Sequence, residues 1–279
     1  MALRGKKPEA AEKRLKALFF GQAGAGKTTA AIQFPRPYVI DTEKGAENDQ
    51  YVKAISKAGG AYWQSNDFDE IVTEVKSLLS TKHEYKTLVI DPVTTVYDDL
   101  INKAEQKVGN EFGRHYGEAK KQWKRLVNLL SRLDMNVIIT SHQKNEYGDA
   151  MKVIGKTFDG PKGLDYLFDL VFEVSKVGTQ RVGIVRKSRI ETLPEGDQFP
   201  FSYDAIADKY GRSVLERDAV AIALATPEQV TEIEALLADR KNGEELRDKW
   251  LTKANADSFA DMASADLEKC IAHLSGVKA

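Results

Sequence analysis

Residues 21–29 read Gly-Gln-Ala-Gly-Ala-Gly-Lys-Thr-Thr, and no other stretch restricts the possible folds as strongly. The first eight residues fit G-x-x-x-x-G-K-[ST], a spacing that wraps backbone N–H groups around phosphate oxygens. Gly21, Gly24 and Gly26 allow the inward turn, and Gln22, Ala23 and Ala25 complete the loop. Lys27 carries a positive charge to the β- and γ-phosphates. Thr28 offers a hydroxyl to Mg²⁺, and Thr29 lies in the first turn of a helix whose amino-terminal dipole favours anions. Such a loop has meaning only between a buried strand and a helix. Residues 15–20, Leu-Lys-Ala-Leu-Phe-Phe, read as that strand and residues 27–34 as that helix. The expected ligand is ATP with Mg²⁺, and the expected fold class is α/β.

Two more apolar runs end in acidic residues. Residues 37–41 read as a strand that runs into Asp41-Thr42-Glu43. Carboxylates at the carboxyl end of such a strand face the ligand crevice of an open α/β sheet. Glu43 is therefore the candidate to orient and deprotonate an attacking water; Asp41 could act there or cap the following helix. Residues 86–91, Lys-Thr-Leu-Val-Ile-Asp, give the Walker B pattern, with Asp91 holding Mg²⁺ through its water shell. Pro92 follows, so no carboxylate stands next to Asp91 to act as base, and Glu43 gains weight. Residues 136–140 form another buried strand, ending in Ser141-His142-Gln143. A polar side chain there can touch the γ-phosphate and report its loss; His142 is the first candidate and Gln143 the second.

The remaining chain reads in order as follows. A basic, polar arm covers residues 1–13. A short strand at 60–63 and a helix over 66–80 follow, the helix burying Ile71, Val72, Val75, Leu78 and Leu79. Helices are expected over 93–108 and 118–133, separated by the glycine-broken stretch 109–117. Residues 144–162 look like a long mobile loop, which in a compact domain usually serves function. Strands follow at 167–175 and 180–185, then a loop and an edge strand over 190–206. Near Arg217 aromatic residues thin out and helix formers take over. Thr226-Pro-Glu-Gln229 announces a helix with a capping box, and two more helices follow, over 244–253 and from a Ser264 cap to 274. Residues 217–279 carry 8 basic and 12 acidic side chains, a net of −4 in a chain whose total is −1. No apolar run is long enough to cross a membrane, no secretion signal opens the chain, and the single Cys270 excludes an internal disulfide or a cysteine-based metal site. A cytoplasmic location fits.

Taken together, Gly21-x4-Gly-Lys-Thr28, Val39-Ile-Asp-Thr-Glu43, Leu88-Val-Ile-Asp91, Val137-Ile-Ile-Thr-Ser-His-Gln143 and Lys187-Ser-Arg189 resemble the core of RecA-like recombinases. The resemblance covers roughly residues 14–206. The size and the appended helical part look most like the phage-encoded RecA-like ATPases, single-strand annealing proteins among them. It implies a RecA-like core over 14–216 with a mainly parallel central sheet, plus a small helical module over 217–279. Further implications are Glu43 as catalytic glutamate, and Lys187 and Arg189 as basic residues reaching the nucleotide of a neighbouring subunit in a ring or filament. The loops at 109–117 and 144–161 would contact DNA.

The expected function is thus an ATPase that binds single-stranded DNA and promotes phage-type recombination or annealing inside a bacterial host. Arg114, Lys120, Lys152 and Lys156 would contact the DNA backbone, and Phe112, Tyr116, Tyr147 or Phe158 would stack on bases. The acidic module would bind proteins, a single-stranded DNA-binding protein among the candidates. A DNA-independent P-loop ATPase or kinase and a helicase-like motor are the alternatives; the absence of arginine from 144–162 argues against a kinase lid.

Overall fold

The apolar run before the glycine-rich loop forms β1 (Lys16–Phe20), buried at all five positions. Such a strand needs packed layers on both faces of its sheet. In the computed structural model, which describes residues 12–45 and 48–276, that is its setting. The chain continues through α1 (Lys27–Ala31), β2 (Pro37–Asp41), α2 (Asp49–Lys57), β3 (Ala61–Gln64), α3 (Phe68–Ser80), β4 (Thr87–Asp91), α4 (Val93–Val108), α5 (Arg114–Arg132) and β5 (Asn136–Ser141). Next come β6 (Gln143–Tyr147), β7 (Val153–Phe158), β8 (Leu170–Val177), β9 (Gln180–Ser188), β10 (Gln198–Pro200), α6 (Tyr203–Tyr210) and α7 (Arg212–Glu216). Helices α8 (Pro227–Ala238), α9 (Gly243–Ala254) and α10 (Ser264–Ser275) end it.

Eight strands form one sheet in the order β10-β9-β8-β1-β5-β4-β2-β3. Pairing is parallel from β8 to β3 and antiparallel across β8, β9 and β10. The registers Phe20↔Ser141 and Asp41↔Asp91 bring the carboxyl ends of β1, β5, β2 and β4 to one edge. Helices α3, α4 and α5 cover one face, packing Ile71, Val75, Leu126 and Leu130 onto Leu18, Ile90 and Ile139. The other face packs Phe19 against Phe34, Phe172 and Phe201 at ring-centroid distances of 4.9–6.3 Å. Asp67 starts α3 by accepting hydrogen bonds from the N–H groups of Asp69 and Glu70.

Helix α4 carries Lys103 to Asp67, at the start of α3 just beyond the carboxyl end of β3. Lys107 then meets Glu118 on the returning α5. The α4–α5 turn therefore lies on the same side of the sheet as the glycine-rich loop.

The three C-terminal helices bury their own cluster around Ile233, Phe259, Met262 and Leu267. They dock on α3 and α5: Lys76 pairs with the buried Asp261, and Asn255 donates to Ser131 Oγ at 3.0 Å. The expected capping box is present, Thr226 and Gln229 each satisfying the other's backbone N–H.

Several expectations are corrected. Residues 144–162 are largely not a loop, because β6 and β7 pair as an antiparallel hairpin. The sequence hides it: one face is bare, so no apolar–polar alternation marks it. Of the loop and edge strand expected over 190–206, the strand is present as β10, but residues 203–206 already belong to α6, and the short α7 follows it. Helix α5 begins at Arg114, four residues early, so Arg114 and Tyr116 sit on its first turn. Helix α1 ends at Ala31. Ser264 does not cap α10; its hydroxyl donates to Gln229 Oε1 at 3.0 Å. Of the arm expected over 1–13, residues 1–11 lie outside the described residues.

Candidate active site

The glycine-rich loop leaves β1 at Phe20 and closes into α1 at Gly26. Two glycines are required by contacts rather than by turn propensity alone. A Cβ at Gly21 would stand 2.1 Å from the Val174 carbonyl oxygen, so β8 approaches the loop too closely for a side chain. Gly26 takes φ 98°, and a Cβ there would stand 2.0 Å from Arg181 Nε. Lys27 is buried, and its Nζ donates to the carbonyls of Gly21 at 2.9 Å and Gln22 at 3.0 Å. Burial lowers the Lys27 ammonium, opposed by the charges of Asp91 and Glu43. The carboxylate expected to act as base, Glu43, and the one expected to hold Mg²⁺, Asp91, thus both act on Lys27.

Asp91, at the end of β4, accepts a hydrogen bond from the Thr140 hydroxyl, and the Thr28 hydroxyl stands near enough to act on its carboxyl. Burial raises its carboxyl, while the two hydroxyls and Lys27 oppose the shift. A neighbouring hydroxyl and carboxylate are the hard oxygen pair that Mg²⁺ accepts when substrate phosphates and waters supply its other ligands. Thr28 and Asp91 would hold that ion. Among the described residues no group of three or more His, Cys, Asp and Glu side chains could hold a metal alone, so such an ion would need those substrate ligands.

Glu43 stands just past β2. Its backbone N–H donates to Asp41 Oδ1 at 3.2 Å, as does that of Gly45 at 3.1 Å, and Gln64 reaches the other oxygen at 3.3 Å. Asp41 is therefore the brace of the turn that carries Glu43, a positioning residue. The Glu43 carboxylate lies 3.3 Å from His142 Nε2. The sequence proposed these two residues for separate duties; the parallel sheet brings the strand ends that carry them to one edge. His142 is itself fixed, its N–H donating to Thr94 Oγ1 at 3.2 Å and its carbonyl accepting from Asp159 N–H at 2.8 Å. Gln143, one residue on, lines a cleft of about 380 Å³ with Gln22, Ala23, Gly24, Ala25 and Lys156. Both sensor candidates therefore border the loop, one through Glu43 and one directly.

Lys187 and Arg189 do not join this site. Strand β9 runs against the parallel strands, and the register Val171↔Lys187 puts its far end at the amino end of β8. Lys187 donates to the Asp165 carbonyl and lies over the Tyr166 ring at 5.2 Å, while Arg189 is 3.6 Å from Asp169.

The residues expected to contact DNA divide. Phe112 projects fully exposed from a turn between Gly109 and Gly113, at φ 53°. Tyr116 and Tyr147 are also exposed, as are Arg114, Lys120, Lys152 and Lys156. Arg114 is 3.4 Å from Glu111, and Lys156 donates across the hairpin to Asn145. Phe158 is a correction: its ring packs on the core, edge-on to Phe20 at 6.5 Å, and is not offered for stacking.

Two basic residues were missed. Arg181, at the start of β9, lines a cleft of about 250 Å³ with Gly24, Gly26, Lys27, Thr28, Thr29, Gln50 and Tyr51. Lys176, across the ladder from it, borders the cleft on the other side of Gly24. No motif marks them, since only the β8–β9 hairpin carries them back to the loop.

Residues 13–191 match the model of a family described as AAA domain. No curated protein matches the chain. Among solved structures, the crystal structure of the RadB recombinase is similar at 20% identity with a TM-score of 0.43, covering 66% of this chain and 84% of that one.

Proposed function

The chain belongs to the AAA domain family, and from that premise we propose that it is a RecA-like ATPase that binds single-stranded DNA and couples that binding to its nucleotide state in recombination or strand annealing. The glycine-rich loop and Lys27 bind the phosphates of ATP. Thr28 and Asp91 hold Mg²⁺, which draws charge from the phosphates when bound. Glu43 takes the proton of the attacking water, and Lys27 stabilises the charge that develops on the phosphoryl oxygens.

The observation that carries the reading is the contact between Glu43 and His142, 3.3 Å apart, with the β6–β7 hairpin starting at the next residue. A change at the γ-phosphate that moves Glu43 must act on His142. His142 is tied by its own backbone to Asp159 at the other end of the hairpin. Nucleotide state therefore has a short covalent and hydrogen-bonded route to Tyr147 and Lys152, while exposed Phe112 and Tyr116 stand on the same side of the sheet. Lys187 and Arg189, at the opposite end of the sheet, would act on a neighbouring copy's nucleotide in a ring or filament. The acidic helical module would serve a protein partner.

The test is the affinity of a fluorescent single-stranded oligonucleotide with and without a non-hydrolysable ATP analogue, over a range of salt. The reading expects tighter binding with the analogue and weakening with salt. Binding indifferent to both would overturn it.

A further inference from the structure

Most cationic side chains around the glycine-rich loop have an internal partner. Lys27 donates to Gly21 and Gln22, Lys156 to Asn145, and Arg186 to Glu173 at 2.6 Å. Two do not. The side chains of Arg181 and Lys176 make no hydrogen bond or ion pair to any described residue. They are also direct cross-strand partners in the β8–β9 ladder. Like charges opposite each other in an antiparallel pair repel, and no carboxylate between them offsets the cost. Arg181 meanwhile lies flat against Gly26, so close that a methyl group there would overlap its Nε. The two residues border clefts on either side of the loop crest at Gly24.

We propose that Arg181 and Lys176 form a cis phosphate clamp: a second cationic subsite, on the same chain as the glycine-rich loop, that grips the polyphosphate of a bound nucleoside di- or triphosphate. The inference rests on the nucleotide site proposed above and adds to it the cation source that the sequence had sought only in a neighbouring subunit. A guanidinium offers a planar fork of donors matched to phosphate oxygens. Seated on Gly26 and beside Thr28 and Thr29, Arg181 is placed to close over a nucleotide whose phosphates lie in the loop. Bound phosphate would also offset the repulsion between Arg181 and Lys176. One protomer would then retain ADP without help from its neighbour, leaving the trans residues Lys187 and Arg189 to act on the triphosphate.

The experiment is a titration of fluorescent ADP and ATP analogues into wild-type protein and the variants Arg181→Ala, Arg181→Lys, Lys176→Ala and Lys27→Ala, with the melting temperature of each variant measured with and without ADP. Arg181→Ala should weaken both nucleotides by about tenfold, the loss of one charge-assisted contact. Arg181→Lys should recover part of that loss and Lys176→Ala should lose less. The apo melting temperature of Arg181→Ala should be unchanged or raised, because a like-charge pair is gone, while the ADP-induced rise shrinks. A purely structural arginine would lower the apo value instead, and that result overturns the clamp. So does wild-type affinity in Arg181→Ala beside lost affinity in Lys27→Ala, which leaves the nucleotide site standing. Wild-type affinity in Lys27→Ala overturns the nucleotide site and the clamp with it.

Discussion

Replacing Lys16 with methionine should change how the stability of the protein depends on pH. Lys16 opens β1, at the end of the strand away from the glycine-rich loop, and is buried with its Nζ donating to the carbonyls of Leu133 at 2.9 Å and Met135 at 3.0 Å. Burial drives its pKa from the usual 10.5 down to about 7; Asp134 and Asp169 resist the shift and Arg14 adds to it. The folded chain therefore releases this proton at a lower pH than the unfolded chain does. Between about pH 7 and 10.5 the unfolded state binds more protons, so this group makes stability rise with pH. Below pH 7 both states are protonated and its contribution is flat. From pH 7 to 9 the linkage amounts to roughly 2 kcal/mol, or about 4–8 °C in melting temperature for a chain of this size. Lys16→Met keeps the aliphatic stem and removes the titration. Scanning calorimetry of both proteins at pH 7, 8 and 9 should show the wild type gaining on the variant across the range. Parallel curves would refute the argument, because they would mean that Lys16 keeps its proton inside the fold.

Glu43→Gln should lower the rate of ATP hydrolysis by at least about a hundredfold, the scale of a lost general base, and leave ATP affinity near that of wild type; steady-state ATPase and nucleotide titration check both. Arg14→Met should cost about 3 kcal/mol in urea denaturation, because the Arg14 guanidinium donates to the carbonyls of Val214, Arg217 and Asp218 at 2.6–2.7 Å and to Asp134 at 3.2 Å. An unchanged midpoint would show that water replaces those bonds. Phe112→Ala should weaken oligonucleotide binding by about tenfold, the worth of one stacked base, with nucleotide affinity unaffected; equal loss of both would point to a folding defect at the turn.

The central sheet was largely legible. Residues 16–20, 87–91 and 136–141 are strands buried on both faces, and such strands appear as unbroken apolar runs between turn residues. Thr226-Pro-Glu-Gln229 was equally plain, since a capping box is a local device that four residues complete. The β6–β7 hairpin was not legible. It stands off the main sheet with exposed Val153, Ile154 and Tyr147 and forms no core that would impose a pattern. Helices α6 and α7 are eight and five residues long, too short to set up a periodicity. Phe158 looked like a loop aromatic because nothing near it in sequence shows that Phe20 waits across the fold.

Sequence alone determined the parts of the site that one short segment can complete. The phosphate-binding pattern of 21–29 is a matter of consecutive residues, so its spacing alone announces it, and Asp91 stands out as the acidic end of an apolar strand. Only tertiary structure decided which residues meet. Glu43 and His142 are about a hundred positions apart and touch because β2 and β5 run parallel to one edge. Lys187 and Arg189 are carried away, and Arg181 is brought in, by the single reversal between β8 and β9. Strand direction is set by how a chain packs its connections around a sheet, and no residue spacing encodes it; which cations besides Lys27 border the loop was therefore decided by the fold.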